Sequence, residues 1–556
     1  MSRVLLLGGA VALLLMMVVL PLGVLLAYGL ADPAAALSAL AEPRNLEAGF
    51  NTVIVSLGVT AFTLIVGVPL GFLVGRTDLP IRSTWKVLAT MPYIVPPYIA
   101  AIAWTTLLNP SNGLLNQPLV LLGLPPLNIY SLPGMIGVMG LAYTPFVLLS
   151  TADALSRTDA SLEEQARIAG AGPWRSLFTV TLPVAAPAIA EGATFVLAAS
   201  TAAFGVPYLL ASGTAQPAYV LTTRIYQALD LAPATGRPIA VALSLALLAF
   251  GLGLPALVRA LRGRRKFTTV TGKATRQSPF RLGGATVPAL ALLSLYVLFA
   301  VVLPLGTIGL TSILTTFGRG LGPDNWTLAN YSAVLWERSD TLPALLRSAG
   351  LAAGAATGAV LIGALLGWMK ERSKTPGRGV VAWLARLPYA VPGTVLALAL
   401  LLTFSQEIRF IVFERITLGL ALADTPWILG LAYMTKFLAF PVGHTSAGLQ
   451  ATDASLEEAA RLSGAGFIAT LRRVTAPLLR PNLVAAWFLV FMPAFSEVTL
   501  SILLQGPDTQ VVGTLLFDLQ TYGNPPSAAV LAVTVTAVVL GGNALLRLLT
   551  GGRLGL

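Results

Sequence analysis

The 556-residue sequence contains no cysteine, one histidine and few charged residues, since only 10% are Asp, Glu, Lys or Arg. The lack of cysteine excludes disulfides and thiolate metal sites. A soluble globular protein carries about 25% charged residues, so this chain has too little polar surface to cover a water-exposed body. The single histidine, His444, offers neither a metal cluster nor a catalytic triad, and its apolar surroundings favour a structural role. We therefore expect no catalytic residue, metal site or cofactor in this chain.

Long apolar runs are what the sequence has instead, because 56% of its residues are hydrophobic and its mean hydropathy is +0.81. A spanning helix needs about 20 mostly apolar residues, and the first run is longer than a signal-peptide core of about 7–15 residues. We predict an all-α membrane protein with about twelve transmembrane helices. The runs lie near Val4–Leu30, Thr52–Val74, Val87–Leu108, Pro133–Ala152, Val184–Ala211, Pro238–Val258, Thr286–Leu314, Pro343–Met369, Val380–Phe404, Thr425–Gly448, Leu483–Leu504 and Ala528–Leu546.

The net charge of +12 is distributed unevenly between the two sides of the predicted membrane. With the N-terminus inside and twelve crossings, 26 Lys and Arg fall on the cytoplasmic side, eight fall outside, and Lys436 lies within a helix. Such an excess follows the positive-inside rule. The basic charge therefore predicts orientation, with both termini cytoplasmic, and no nucleic-acid partner is expected.

The two halves of the chain repeat each other. A polar phrase that starts at residue 159 returns at residue 453, and MPYIVPP at Met91 returns as LPYAVPG at Leu387, so the offsets are 294 and 296 residues. Six spans in each half give both halves the same orientation, which predicts a parallel repeat about a pseudo-twofold axis. We expect a first unit at 1–265, a basic cytoplasmic linker at 266–282 and a second unit at 283–556.

The repeated phrase reads DASLEEQARIAGAG in the first copy and DASLEEAARLSGAG in the second, and both copies fall in predicted cytoplasmic loops. Each predicts a short helix that starts with a capping box and stops at a left-handed glycine. Capping alone would explain one such helix, whereas two matched helices favour a repeated docking surface for a dimeric partner. The capping and stop residues are Ser161, Glu164 and Gly170 in the first copy and Ser455, Glu458 and Gly464 in the second.

The spacing of Glu164-Gln-Ala, Gly170 and Val180-Thr-Leu-Pro183 resembles the EAA loop of ABC importer permeases, and the second copy matches at Glu458-Ala-Ala, Gly464 and Val474-Thr-Ala-Pro477. The fused layout, together with NIYSLPG at Asn128 and AFGVPYLL at Ala203, is most similar to the ferric-iron permease group. Thiamine, phosphonate and polyamine importers are close relatives of that group, so these substrates stay open. Gln165 and Ala476 depart from the family pattern, and the two loops could therefore bind their partners unequally.

The resemblance implies two tandem six-helix type I ABC permease units in the inner membrane, with EAA loops at 159–183 and 453–477. It also implies two copies of an ATP-binding subunit, an extracytoplasmic solute-binding protein and alternating access driven from the loops. The chain lacks a phosphate-binding loop, since Gly272-Lys273 is followed by Ala274, so ATP would be bound by the partner. The expected ATPase-docking residues are Ser161, Glu163, Glu164, Ala166, Gly170, Gly172, Ser455, Glu457, Glu458, Ala459, Ala460, Gly464 and Gly466.

The ionisable residues Glu191, Lys436 and Glu497 lie within predicted spans. Each such residue costs about 2.5–3.5 kcal/mol on insertion scales, so each needs a role. One role is an ion pair or hydrogen bond that fixes helix packing; the other is to line the path of a cationic solute. Both stay open for Glu497, which should lie about 30 Å up its helix from Pro477, whereas packing is favoured for Glu191.

A second class of function is a single-chain secondary transporter of the major facilitator kind, which also has twelve spans, two halves and a basic central loop. The twin docking loops argue against it, because such a carrier has no pair of ATPase subunits to bind.

Overall fold

The computed structural model describes residues 2–156, 160–213, 217–262, 279–405, 408–412 and 416–549. Most of the predicted linker lies outside these ranges. The described chain is helical apart from one antiparallel ribbon, which confirms the all-α membrane fold. The helices of the first half are α1 Leu5–Ala31, α2 Pro33–Ala41, α3 Pro43–Arg76, α4 Arg82–Tyr93, α5 Pro97–Leu108, α6 Asn116–Leu121, α7 Leu132–Ser156, α8 Ala160–Ile168, α9 Trp174–Thr201, α10 Gly205–Ser212, α11 Leu221–Leu229 and α12 Pro233–Ala260.

The second half has a similar order of elements, but the ribbon lies in the position of α6 and two helices lie in the position of α7. Strand β1 pairs with β2 so that Ile408 lies opposite Leu420. The elements are α13 Gly283–Ser312, α14 Ala329–Ser332, α15 Thr341–Arg372, α16 Arg378–Ala390, α17 Gly393–Phe404, β1 Ile408–Val412, β2 Ile416–Leu420, α18 Pro426–Phe437, α19 Ala439–Gln450, α20 Ser455–Leu462, α21 Phe467–Phe495, α22 Thr499–Leu504, α23 Val512–Thr521 and α24 Pro525–Leu549.

Nine helices in the described ranges are long and apolar enough to cross a membrane, and the number is eleven if each of two bent pairs forms one span. The predicted tenth span is instead two helices of 12 residues, α18 and α19, separated by Leu438. The chain is therefore a multi-pass membrane protein, close to the predicted number of spans.

Besides the tenth, four predicted spans are broken where the sequence pattern predicted one continuous helix. The pair α4–α5 bends by 89° at the MPYIVPP motif and the pair α16–α17 by 109° at LPYAVPG. Proline lacks a backbone N–H, and it also pushes the residue before it out of the helical region, so a helix cannot run straight through these motifs. Two further breaks separate α9 from α10 and α21 from α22.

Wide π-helical turns occur at matched places in the two halves. In α9 the turn covers Leu177–Thr181, and in α21 it covers Leu471–Thr475. A proline, Pro183 or Pro477, follows each turn by two residues. Because the proline ring would clash with the carbonyl of an α-helical preceding turn, the helix widens there.

Glycines let the spanning helices approach closely within each half. A Cβ atom on Gly71 of α3 would lie 2.6 Å from the carbonyl oxygen of Leu148 in α7, and a Cβ on its repeat partner Gly367 would lie 2.9 Å from Thr445 in α19. Small residues at such crossings are typical of membrane helix pairs. The glycine pair matched in sequence thus marks the same helix crossing in both halves.

Contacts divide the described chain into two compact units. The first contains the described residues of 1–46, 221–248 and 311–555, and the second contains those of 47–220 and 249–310. In the first unit, Leu7 of α1 packs in one cluster with Trp368 and Leu479. In the second, the hydroxyl of Tyr296 in α13 donates to the carbonyl of Leu141, 3.1 Å away. The first helix of each half thus packs on segments from the other half. The boundaries 1–265 and 283–556 describe the two repeats in the sequence and stay a prediction.

Candidate functional site

The two copies of the repeated phrase form the short helices α8 and α20, hereafter the first and second short helix. Both end at a glycine with φ +84°, Gly170 or Gly464, which confirms the predicted left-handed stops. The N–H of Ala171 donates to the carbonyl of Ala166 at 2.9 Å, and the N–H of Ala465 donates to that of Ala460 at 3.0 Å. These bonds, which span six residues, satisfy the last carbonyls of the helix as in a Schellman motif.

The predicted capping box of the second copy is wrong. The second short helix begins at Ser455, so that serine lies in its first turn and does not precede it. The carboxylate of Asp453 accepts the N–H of Ser455 at 3.0 Å, and this bond lowers the pKa of Asp453. Asp453 caps the helix, because its carboxylate lies two residues before Ser455 and reaches a free N–H of the first turn. The first short helix begins at Ala160, one residue before Ser161; Asp159 and the side chain of Ser161 lie outside the described residues.

Glu163 anchors the first short helix to its own half. Its side chain is buried, and its Oε1 atom lies 3.2 Å from Nη2 of Arg76 and accepts the hydroxyl of Thr181 at 2.8 Å. Arg76 is the last residue of α3, and Thr181 is the last residue of the π-helical turn in α9. One carboxylate therefore joins three elements.

Glu457 anchors the second short helix to its own half in the same way. Its Oε1 atom accepts the hydroxyl of Thr475 at 3.1 Å and lies 3.7 Å from Nε of Arg372, the last residue of α15. Its Oε2 atom accepts from Nε1 of Trp368 at 3.3 Å and from Nη2 of Arg461 at 3.4 Å. The residue that matches Trp368 in the first half is Phe72, which has no N–H to donate.

The other expected docking residues face outwards or lie at the rim of the short helices. Glu164, Glu458 and Ala459 are exposed, and Ala166 and Ala460 are half-buried. Gly170, Gly172, Gly464 and Gly466 are exposed too, and a Cβ atom on any of them would meet no atom within 4 Å. Each short helix thus has one buried glutamate and one exposed glutamate in adjacent positions, a distinction that the sequence did not show.

Exposed apolar side chains on the same surfaces were missed by the sequence analysis. Ile168 is 88% exposed at the end of the first short helix, and Leu462, at the offset of 294, is 90% exposed at the end of the second. Trp174 and Ile468, which follow at the same offset, are also exposed. The repeat offset was the signal that could have found them, because matched apolar residues in polar loops need a reason to be exposed.

Two of the ionisable residues predicted within spans lie at helix ends. Glu497 is in the break between α21 and α22, where its Oε2 atom accepts the N–H groups of Leu500 at 2.7 Å and Ser501 at 3.1 Å. Lys436 donates to the carbonyl of Val391 in the bend between α16 and α17. A carboxylate at a helix N-terminus and an ammonium at a helix C-terminus each match the helix dipole. No ion pair within 4.0 Å joins these two described residues.

Glu191 is exposed on α9 and makes no ion pair within 4.0 Å with a described residue. The packing role that was favoured for it therefore has no partner in this part of the chain. Among the described residues, no group of three or more His, Asp or Glu is arranged to hold a metal ion.

Comparison with known proteins gives matches to both halves. A family model described as "Binding-protein-dependent transport system inner membrane component" matches residues 67–267 and again 359–551. A putative ferric transport system permease protein of Haemophilus influenzae is 26% identical over 436 residues, which cover 77% of this chain and 65% of that protein. A probable ABC transporter permease protein of Sinorhizobium fredii is 27% identical over 529 residues, covering 91% of this chain and 87% of the relative.

A shorter relative matches only part of the chain. The molybdate/tungstate transport system permease protein of Thermococcus kodakarensis is 27% identical over 248 residues, which cover 45% of this chain and 91% of that protein. The matched part of this chain spans about two thirds of the ferric relative's length.

Proposed function

Because this chain belongs to the family of binding-protein-dependent transport system inner membrane components, we propose that it is the permease subunit of an ATP-driven importer. The observation that carries the proposal is the pair of matched short helices, each with an exposed glutamate and an exposed apolar residue at the same position. A twice-repeated surface fits a partner with two equal subunits. The transported solute would pass between inward-open and outward-open states of the spanning helices.

Each short helix docks one ATP-binding subunit. Ile168 and Leu462 are the apolar anchors, and Glu164 and Glu458 supply charge beside them. A short helix with a few apolar anchors is a common way to fill a groove on a partner, and burying one such side chain contributes about 1.5–3 kcal/mol. The open space around Gly172 and Gly466 lets the partner approach the backbone closely.

The short helices face the cytoplasm in this proposal, and both termini lie on the same side. The support is the excess of basic residues in the loops of that side. ATP-binding subunits work in the cytoplasm, and a solute-binding protein would deliver its cargo to the opposite face.

Ferric iron is the proposed solute. The ferric relative matches over 436 residues that include both halves, whereas the molybdate/tungstate relative matches 248 residues at a similar identity. Identity alone does not separate the substrates, so the support for iron is the fused, two-half layout. Thiamine, phosphonate and polyamines are the alternatives, and most selectivity would come from the binding protein.

Reconstitution in proteoliposomes tests the proposal. The chain should co-purify with an ATP-binding subunit in a ratio of two per chain, and binding protein loaded with Fe³⁺ should stimulate ATP hydrolysis and solute uptake. The same binding protein without iron and one loaded with molybdate are the controls. Proton-driven uptake by the chain alone, without any bound ATPase, would overturn the proposal, and stimulation by another solute would replace iron as the substrate.

A further inference from the structure

Each short helix is tied to its half by a buried carboxylate whose contacts repeat. In the first copy Oε1 of Glu163 meets Arg76 and Thr181, and in the second Oε1 of Glu457 meets Arg372 and Thr475. The glutamates and threonines match at the offset of 294, and the arginines match at 296. The same atom makes the same two contacts in both copies, so the arrangement belongs to the repeat and is not an accident of one loop.

Three of the four charged residues in these contacts are buried, and the side chain of the fourth, Arg372, is 14% exposed. Arg76 is 3% exposed, and Glu163 and Glu457 are 7% and 4% exposed. Removing one member of a buried ion pair is costly because it leaves the other charge uncompensated. The short helix therefore cannot swing away from the end of α3 or α15 without separating these charges.

The neighbouring glutamate shows that the two positions have different roles. Adjacent residues of a helix point about 100° apart, and Glu164 and Glu458 are exposed while Glu163 and Glu457 are buried. One side of each short helix is thus free for a partner, and the other side is fixed to the spans.

We propose that Glu163 and Glu457 are positioning residues that make each short helix move as one piece with the two spans that its buried carboxylate contacts, α3 and α9 in the first half and α15 and α21 in the second. The inference rests on the proposed function, because it assigns these residues the transfer of movement from a docked ATPase to the membrane helices. Without the buried carboxylate, the ATPase still binds the exposed side of the short helix. The short helix then moves independently of the spans, so the movement of the ATPase is not transferred to them.

The test uses the full complex with Glu163→Gln and Glu457→Gln combined. Glutamine keeps the shape and an acceptor oxygen but loses the charge. The control is Asp153→Asn, which removes an ion pair of Lys86 and Asp153 at 3.1 Å that is exposed to solvent and should matter little. Three quantities are measured: ATPase copies bound per chain, solute transported per ATP hydrolysed, and hydrogen exchange of residues 160–168 and 455–462.

We expect the double variant to bind the ATPase as the wild type does, while solute transported per ATP falls on the order of tenfold and exchange in both short helices accelerates on the order of tenfold or more. The control should match the wild type in all three. A folding defect would lower ATPase binding and transport together and leave the solute transported per ATP unchanged, and that result would overturn the inference. A well-assembled variant that transports as much solute per ATP as the wild type would also overturn it.

A second variant keeps the test decisive if the glutamine variant does not assemble. Thr181→Val with Thr475→Val removes the hydroxyl donors and leaves both ion pairs in place, so it should lower the same ratio by a smaller factor and leave assembly intact. An unchanged ratio would count against the inference. If the wild-type chain itself binds no ATPase, the proposed function fails first, and the two failures are thereby distinguished.

Discussion

Two adjacent glutamates have opposite environments in each short helix. The sequence gives Glu163 and Glu164 the same chemistry, yet the first is buried against Arg76 and the second is exposed. Which of them is buried depends on the arginine at the end of α3, far away along the chain. Residue type alone therefore predicted a docking role for both, and the packing separates their roles.

Substitution of Gly170 and Gly464 tests whether docking depends on the left-handed backbone at the ends of the short helices. Both glycines have φ +84° in open space, so replacing them by alanine adds backbone strain and no clash. The left-handed conformation costs an L-residue about 1–2 kcal/mol. We expect Gly170→Ala with Gly464→Ala to weaken ATPase co-purification several-fold while membrane insertion stays normal.

Gly377→Ala is the matched control, because Gly377 has φ +80°, also lies in open space and immediately precedes α16, outside the short helices. It should bear the same strain and keep full assembly. Equal loss of assembly in the control, or none in the double variant, would contradict the docking role of these loop ends.

Glu497 offers a test of the transport path. Its carboxylate caps α22 through the N–H groups of Leu500 and Ser501, so we expect Glu497→Gln, which keeps an acceptor oxygen, to transport within about threefold of the wild type. Glu497→Ala loses the cap and should lower the free energy of unfolding by about 1 kcal/mol, measured as a lower melting temperature. A severe transport loss in a stable, assembled glutamine variant would place the charge in the solute path instead.

At the scale of elements, the short helices are alike in backbone and unlike in their attachment. Glu457 accepts a hydrogen bond from Trp368 in addition to its contacts with the threonine and the arginine, whereas Phe72 replaces the tryptophan in the first half. The unequal docking that Gln165 and Ala476 suggested has a physical counterpart here. The cause of this inequality is the additional hydrogen bond that the carboxylate of Glu457 accepts from Trp368.

This difference predicts unequal hydrogen exchange. We expect amides of residues 455–462 to exchange more slowly than those of 160–168 in the chain without partners, because each net hydrogen bond contributes about 0.5–1.5 kcal/mol. Mass spectrometry of the purified chain measures both segments in one sample. Trp368→Phe, which makes the second copy resemble the first, should reduce the difference, and equal rates in the wild type would contradict the argument.

The exposed anchors of the short helices predict a loss of affinity without a loss of stability. Ile168→Asn with Leu462→Asn removes apolar area that only a partner can bury, since both side chains are about nine-tenths exposed. ATPase affinity should fall about tenfold or more, whereas the melting temperature of the chain alone should not change. Leu231→Asn, at an exposed position on the predicted outer side, is the control and should leave the affinity unaltered.

At the scale of the whole molecule, the two halves depend on each other. The first compact unit contains α1 from the first half and most of the second half, and the second unit contains α13 from the second half. Leu14 and Leu293, which lie in these two helices, are fully buried within their units. Neither half alone can supply the surfaces that cover its own first helix.

Separate expression of the halves tests this dependence. We expect residues 1–262 or 279–556 alone to give little monodisperse protein, because apolar helix faces lack their partners. Co-expression should restore a complex that co-purifies in detergent. Size-exclusion profiles of the three samples measure the outcome, and a stable, monodisperse single half would contradict the packing described here.

Much of this protein follows from the sequence by itself, because the governing physics is local. Apolar runs of about 20 residues can only be satisfied in a membrane, and a glycine that must adopt positive φ marks a helix end wherever it stands. The all-α membrane fold, the stops at Gly170 and Gly464 and the family match over both halves agree with those local signals.

Other features were decided by the tertiary structure alone. Trp368 and Glu457 are 89 residues apart in the chain. The break at LPYAVPG places the carbonyl of Val391 where Lys436 donates to it, and the first helix of each half packs on the other half. Burial, ion pairing and capping depend on which distant segments come into contact. The periodicity of apolar residues is a local property and does not predict those contacts.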